Sequence, residues 1–272
     1  MRLKRRLVYA VNDLLRLFRF QILSTDETLD LLLTTDVSLA RFGDGEMAIM
    51  LGRDIHFQHY NPKLAANLSF ILKMRPYEDF MVGVPMALNT TKGLNPQAST
   101  YWEKNLKTGR LHWLRLANRR KVYLNSSFTW CYVDEIDKEQ ASESFKRIVL
   151  LWESKDVLII EGKNGRFGVG GGLLSNASSV RRVLCPDKNA FEKYDTIMET
   201  IHRCYTDGQL VLLSLGPTAT VLAYDLYKEG KRAIDIGHLN NEYQEYLQDN
   251  GIIDSKTKSI DTYKNEIVAV IE

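Results

Sequence analysis

Leu210-Val211-Leu212-Leu213-Ser214-Leu215-Gly216-Pro217-Thr218 is the stretch on which the reading of the fold turns. Its first six residues are apolar on both faces when extended, as a strand in the middle of a parallel sheet must be. Gly216 lets the backbone turn, and Pro217 suits a first helical turn because the N–H it lacks would have no partner there. A helical pattern then runs over 219–229. Strands joined through helices of this length imply crossover connections and a mainly parallel sheet.

The same unit recurs in both directions. Apolar runs at 37–42, 80–84, 122–124, 157–160, 180–184 and 233–236 each end in a polar or glycine-rich loop. Helical patterns at 64–74, 97–107, 139–152, 190–205 and 240–248 lie between them, and the aromatic, basic stretch 101–120 reads as a helical insertion over one end of the sheet. An α/β fold with a mainly parallel sheet flanked by helices follows. Loops after parallel strands gather along the carboxyl edge, where ligands bind. The absence of repeats, low-complexity tracts and linkers favours one domain over 1–272.

Residues 1–24 are basic (Arg2, Lys4, Arg5, Arg6, Arg16, Arg19), with Leu3, Leu7, Leu14 and Phe18 among apolar residues at helical spacing. An N-terminal amphipathic helix is expected. It is too interrupted to span a membrane and lacks a signal peptide's apolar core. It is expected to dock on its own domain or on a second subunit, giving a homodimer; the alternative is peripheral contact with an anionic membrane surface. Lys plus Arg number 36 and Asp plus Glu 34, so a net charge of +2 favours no nucleic acid partner. Cys131, Cys185 and Cys204 have neither disulfide nor zinc spacing and read as reduced, buried thiols of a cytoplasmic protein.

The sharpest local feature is Arg41-Phe42-Gly43-Asp44-Gly45-Glu46. Carboxylates at i and i+2 share one side of an extended chain. Two hard anionic ligands with open positions suit Mg²⁺ or Mn²⁺, which takes phosphate oxygens as further ligands. The bland alternative is a turn in which Asp44 caps the helix that follows.

Around this pair, the helix start at Gly216, Pro217 and Thr218 is a candidate anion site, or else an ordinary turn capped by Thr218. In the glycine-rich segment 165–172, Arg166 is a candidate phosphate contact; the glycine spacing matches neither a dinucleotide fingerprint nor a Walker A loop. Asp235 and His238 close the last predicted strand and could complete a metal shell, contact a diphosphate or act as a base; a structural role for His238 is the alternative. Arg182 and Asn189 offer hydrogen bonds to a base or sugar.

Taken in order, the Arg41 to Glu46 motif, Leu174-Ser175-Asn176-Ala177, the Cys185-Pro186…Asn189-Ala190-Phe191 run, Gly216-Pro217-Thr218-Ala219 and Asp235-Ile236-Gly237-His238 with Asn241-Glu242-Tyr243 resemble the GT-D-type glycosyltransferases of bacterial glycan and adhesin-glycosylation clusters. The likeness covers residues 25–250, taken as the catalytic core. It implies a Rossmann-like fold, a metal-dependent Asp-x-Glu motif at Asp44 and Glu46, and a UDP-sugar donor, often UDP-glucose. The implied acceptor is a glycan or a glycosylated protein.

On this reading Asp44, Glu46 and Asp235 are the catalytic candidates. Asp44, Glu46 and His238 are the candidate ligands of Mn²⁺ or Mg²⁺. Arg41, Gly43, Arg166, Arg182, Asn189, Gly216, Pro217, Thr218 and His238 are the candidate donor contacts. A nucleotide-sugar hydrolase and a non-catalytic nucleotide- or glycan-binding module are the rival functions.

Overall fold

The computed structural model describes residues 18–75, 77–169, 171–252 and 265–272. Nine strands among them form one sheet: β1 Gln21–Ile22, β2 Ser38–Arg41, β3 Phe80–Val84, β4 Val122–Asn125, β5 Asp156–Gly162, β6 Ser179–Cys185, β7 Leu210–Ser214, β8 Ala233–Asp235 and β9 Asn265–Val270. Their spatial order is β1-β4-β3-β2-β8-β7-β5-β6-β9, and every pairing is parallel.

Eight α-helices cover the sheet: α1 Thr25–Thr34, α2 Asp44–Met50, α3 Pro62–Lys73, α4 Pro96–Leu116, α5 Lys138–Ile148, α6 Tyr194–Cys204, α7 Pro217–Lys228 and α8 Leu239–Asp249. The two faces are visible in the alternation of the central strands. Val211 and Leu213 of β7, with Leu158 and Ile160 of β5, join the core formed with α3, α6 and α7. Leu210 and Leu212, with Val157 and Ile159, join the opposite core against α1, α5 and α8. This period-2 division between two buried faces is why residues 210–215 read as continuously apolar.

The sheet is wider than the sequence pattern suggested. Residues 1–17 of the expected N-terminal helix lie outside the described residues, but Gln21 and Ile22 within its 1–24 span are strand, paired with Val122 and Tyr123. Phe20 is buried, and its backbone N–H and C=O both bond to the Asn89 side chain. That tertiary contact overrides the helical spacing. At the other end β9 pairs with β6, so the sheet runs beyond the 25–250 core.

Helix α1 was also missed, although its signal is local: the Ser24 hydroxyl accepts the Glu27 N–H at 3.2 Å and the Glu27 carboxylate accepts the Ser24 N–H at 2.8 Å, a capping box. The insertion expected at 101–120 belongs to α4, which starts earlier, behind an Asn95 cap and Pro96. Cys131, Cys185 and Cys204 are buried and free. No helix of the described residues is long and apolar enough to cross a membrane.

Lys121, just before β4, is fully buried, and its ammonium has no hydrogen-bond partner. Burial pushes its pKa down to about 8. The unfolded chain therefore binds more protons than the folded one between pH 8 and its ordinary value, and stability rises with pH across that window. Lys121→Met is expected to raise the midpoint of thermal unfolding at pH 7, by about 1–3 kcal/mol of stability, and to flatten the rise above pH 8. Thermal melts at several pH values check both; a lower midpoint at pH 7 would show that the ammonium is not a liability.

Candidate active site

The strand order sets the position of the site. From β2 the chain moves outward through β3 to β4, then crosses to β5 and β6 and returns inward through β7 to β8, which lies beside β2. The loop after β2 leads into α2, whose Met47 and Ile49 join one core, whereas the loop after β8 leads into α8, whose Leu239 joins the other. Connections that diverge between neighbouring parallel strands leave a crevice at their carboxyl ends. A cavity of about 900 Å³ opens there, lined in part by Asp44, Glu46, Gly216, Asp235, Gly237 and His238.

Its floor is an arginine. Arg41, the last residue of β2, donates from Nε to the Ser126 carbonyl after β4 at 2.9 Å and places Nη1 3.7 Å from Asp235 of β8. One side chain thereby ties three strand ends together. Asp235 is 5% exposed and also accepts the Gly237 N–H at 3.0 Å. Burial raises its pKa to about 6, although Arg41 and these hydrogen bonds pull it down. The carboxylate expected to be catalytic is thus engaged in holding Arg41.

Gly237 makes this packing possible. Its φ is +48°, and a Cβ there would lie 1.9 Å from Arg41 Nη1. Gly237→Ala must displace the guanidinium from Asp235 as well as strain the backbone. A loss of about 1–3 kcal/mol in stability and a fall in turnover are expected, read from thermal melts and steady-state rates; unchanged values in both would show that Arg41 relaxes freely.

The Asp-x-Glu pair divides its roles. Gly43 is the cap of α2 and Asp44 its first residue, so Asp44 is not the cap. The Glu46 carboxylate does that work, accepting the Gly43 N–H at 2.7 Å. Asp44 is exposed on the cavity and accepts a hydrogen bond from the Tyr101 hydroxyl of α4. Burial, with Asp235 nearby, pushes Glu46 up to about 7. Asp235 and Glu46 thus act on one arginine, and Asp44 stands beyond them, open to the cavity.

Among the described residues no group of three or more His, Cys, Asp or Glu side chains is arranged to hold a metal ion, so Asp44, Glu46 and His238 do not form the three-ligand set. Asp44, exposed on the cavity, and Glu46, which also lines it, are the donors that would hold Mg²⁺ or Mn²⁺. Such ions use one or two protein carboxylates and complete their shell with water and phosphate. His238 lines the cavity beside the Trp130 ring, with centroids 5.3 Å apart. Partial burial and Arg41 lower its pKa, which favours the neutral imidazole.

The other candidates divide between those that line the cavity and those that do not. Gly43 and Gly216 line the cavity. Gly216, at φ +54°, caps α7 with Pro217 as the first helical residue, and a Cβ on it would meet the Phe57 ring at 2.4 Å. Thr218 is therefore not the cap; its hydroxyl is buried without a hydrogen-bond partner and, like Pro217, lies outside the lining.

Asn189 also lies outside the lining, but it holds one wall. Its side chain accepts the His59 N–H at 2.8 Å and its own N–H bonds the Phe57 carbonyl at 2.8 Å. Arg166 is exposed and off the cavity. Arg182 is buried, paired with Glu161 and bonded to the Phe167 carbonyl at 2.7 Å. It braces the glycine-rich loop from inside and has no route to a donor.

Several lining residues were not anticipated: Phe57, Gln97, Tyr101, Trp102, Trp130 and Asp134. Trp130 and Asp134 follow β4 at the carboxyl edge, a position the edge rule could have flagged. Tyr101 and Trp102 come from the first turns of a helix and carry no local signal.

Comparison with known proteins agrees with this architecture. A family model described as "Glycosyltransferase GT-D fold" matches residues 39–266. The chain is 37% identical over 226 residues to a probable glycosyl transferase Gly of Streptococcus gordonii, and 34% identical over 224 residues to glycosyltransferase GlyD of Streptococcus pneumoniae. These stretches cover 83% and 82% of this chain but 33% and 27% of the relatives, so it spans about a third of their length.

Among solved structures, a glycosyltransferase from Streptococcus sanguinis superposes with a TM-score of 0.82 at 33% identity, covering 92% of this chain and 94% of that one. A domain of unknown function 1792, described as having a distinct glycosyltransferase fold, superposes with a TM-score of 0.85 at 32% identity, covering 97% of this chain and all of that one. The chain belongs to the glycosyltransferase GT-D fold family.

Proposed function

We propose that the chain transfers a hexose, glucose first among the candidates, from a UDP-sugar to a hydroxyl of a glycan or glycosylated protein, with Mn²⁺ or Mg²⁺ as cofactor. The observation that carries this reading is the carboxylate pair directly after β2, with Asp44 exposed on a cavity of about 900 Å³ and Glu46 also lining it. Ligand pockets span about 300–1,000 Å³, so this one stands at the upper end.

Asp44 and Glu46 would hold the cation. When bound, it neutralises the charge that grows on the departing diphosphate. Tyr101 orients Asp44 through its hydroxyl, and Arg41 keeps a fixed positive charge beneath the pair. Gly216 brings the N-terminus of α7 to the cavity, where the helix dipole favours phosphate. In the reaction the acceptor oxygen bonds to the anomeric carbon as its bond to phosphate breaks. UDP leaves with the electron pair, and the hydroxyl proton is released. A nucleotide-sugar donor suits a cytoplasmic reaction.

The test is UDP release from a panel of UDP-sugars, with and without Mn²⁺ and with and without acceptor glycosides. Release that requires metal and rises with acceptor supports transfer. Metal-dependent release indifferent to every acceptor would favour a hydrolase, and UDP binding without turnover a binding module.

A further inference from the structure

The cavity has two chemically different flanks. One is built from the β5, β6 and β7 ends, with Gly162, Pro186, Leu215 and Gly216 as small or apolar wall and Ser214 and Asp187 as its polar groups, the Asp187 carboxylate being bonded to Asn164. The other is built from the start of α4 and the segment after β4. Tyr101 is 47% exposed, Trp102 and Trp130 are half-buried, and Gln97 and Asp134 stand beside them.

The rings on this second flank are held. Tyr101 and Trp102 pack edge to face, with centroids 5.8 Å apart and planes at 86°, and Tyr101 is tied to Asp44. Trp130 leans on His238. Asp134 enters no ion pair among the described residues, and its backbone carbonyl, not its carboxylate, accepts the Asn95 N–H at 2.7 Å. Burial raises its pKa, while the charge of Lys138 nearby pulls it down.

Half-open aromatic rings beside a carboxylate and an amide that line the same cavity suit a ligand with apolar C–H faces and hydroxyl edges. The electron-rich ring face attracts the slightly positive C–H groups, while Asp134 and Gln97 accept and donate hydrogen bonds to hydroxyls. A neutral pyranose has both features. A phosphate-bearing ligand matches less well: the residues of this flank that line the cavity include a carboxylate and no arginine or lysine.

Resting on the transferase reading above, we infer that the flank formed by Gln97, Tyr101, Trp102, Trp130 and Asp134 is the acceptor subsite, and that it takes a neutral hexose or N-acetylhexosamine. By strand order its segments adjoin β3 and β4 on one side of β2, whereas the Gly216 turn follows β7 on the other. Donor and acceptor therefore approach the carboxylate pair from opposite flanks, and Tyr101 links acceptor recognition to the position of Asp44.

The experiment uses the full chain with Mn²⁺, UDP and a panel of p-nitrophenyl glycosides of neutral hexoses and N-acetylhexosamines. Glycoside binding is followed by saturation-transfer NMR, acceptor KM by UDP release, and UDP affinity by calorimetry. Trp130→Ala, Asp134→Asn and Gln97→Ala are expected to weaken glycoside binding or raise acceptor KM about 10-fold or more, with the UDP Kd within about twofold. Trp130→Phe should recover most of the loss. Gln97 is exposed on the helix surface, so its variant tests the idea even if Trp130→Ala fails to fold.

A UDP Kd that worsens as much as glycoside binding would mean that the flank holds the nucleotide, which overturns the assignment and leaves the transferase reading intact. Failure of every glycoside to bind wild type in the presence of UDP also overturns it. A wild-type chain that binds no UDP at all removes the transferase reading and this inference together.

Discussion

Asp44→Asn is expected to lower turnover of the preferred UDP-sugar by about 10²–10³, roughly 3–4 kcal/mol of transition-state stabilisation, with almost no change in thermal stability. The two halves of this expectation have separate causes. Asp44 is exposed, stands at the first position of α2 and bonds only the Tyr101 hydroxyl, so the amide fits the same space. The substitution removes one full negative charge from the place where a cation would meet the diphosphate, and charge is what the site supplies.

The apparent metal requirement should shift with the rate: the variant should need more Mn²⁺ for half-maximal activity than wild type. Tyr101→Phe is the control, because it removes the hydroxyl and keeps the carboxylate; a smaller loss is expected. Turnover of Asp44→Asn equal to wild type would refute the metal assignment, and a large fall in melting temperature would show that the residue matters for folding instead.

The second large effect belongs to a residue with the opposite profile. Arg182→Met is expected to destabilise the fold by about 3–5 kcal/mol, because it strands the Glu161 carboxylate in the interior. For a chain of this size each kcal/mol moves the melting midpoint by roughly 2–4 °C, so a fall of about 10 °C is expected. Glu161 is 1% exposed and also accepts the Phe167 N–H at 3.0 Å, so the glycine-rich loop loosens with it. UDP affinity below the melting transition should be little changed, since Arg182 does not line the cavity.

Adding Glu161→Leu should restore part of the loss, as replacing a buried pair by apolar side chains often does. Calorimetry of UDP binding together with thermal melts separates the outcomes: loss of UDP affinity without loss of stability would return Arg182 to the donor site.

These two residues show what could be read along the chain. Asp44 was legible because its chemistry is local: two carboxylates and two glycines within four residues, directly after an apolar run. Arg182 was misjudged because a strand arginine near a ligand edge has the same one-dimensional signature whether it points at a phosphate or at a buried glutamate. Its partner Glu161 is 21 residues away and on the neighbouring strand. The engagement of Asp235 with Arg41 was hidden in the same manner, since it spans 194 positions, from 41 to 235. Asn189, expected as a donor contact, lies outside the cavity lining and bonds the His59 N–H from 130 residues away.

The sequence by itself determined the α/β class, the parallel character of the sheet, and the carboxyl edge where the cavity lined by Asp44 and Glu46 lies. All of these rest on short-range periodicity and on residue types whose physics acts within one strand, turn or helix. Only the tertiary structure decided which flanking groups face the cavity and which brace it from behind. It also brought Tyr101 of α4 and Trp130 after β4 to the same carboxylate, added the edge strands β1 and β9, and withheld His238 from a three-ligand set. The reason is that orientation across a crevice is set by strand order and packing between distant segments, and neither leaves a trace in local spacing.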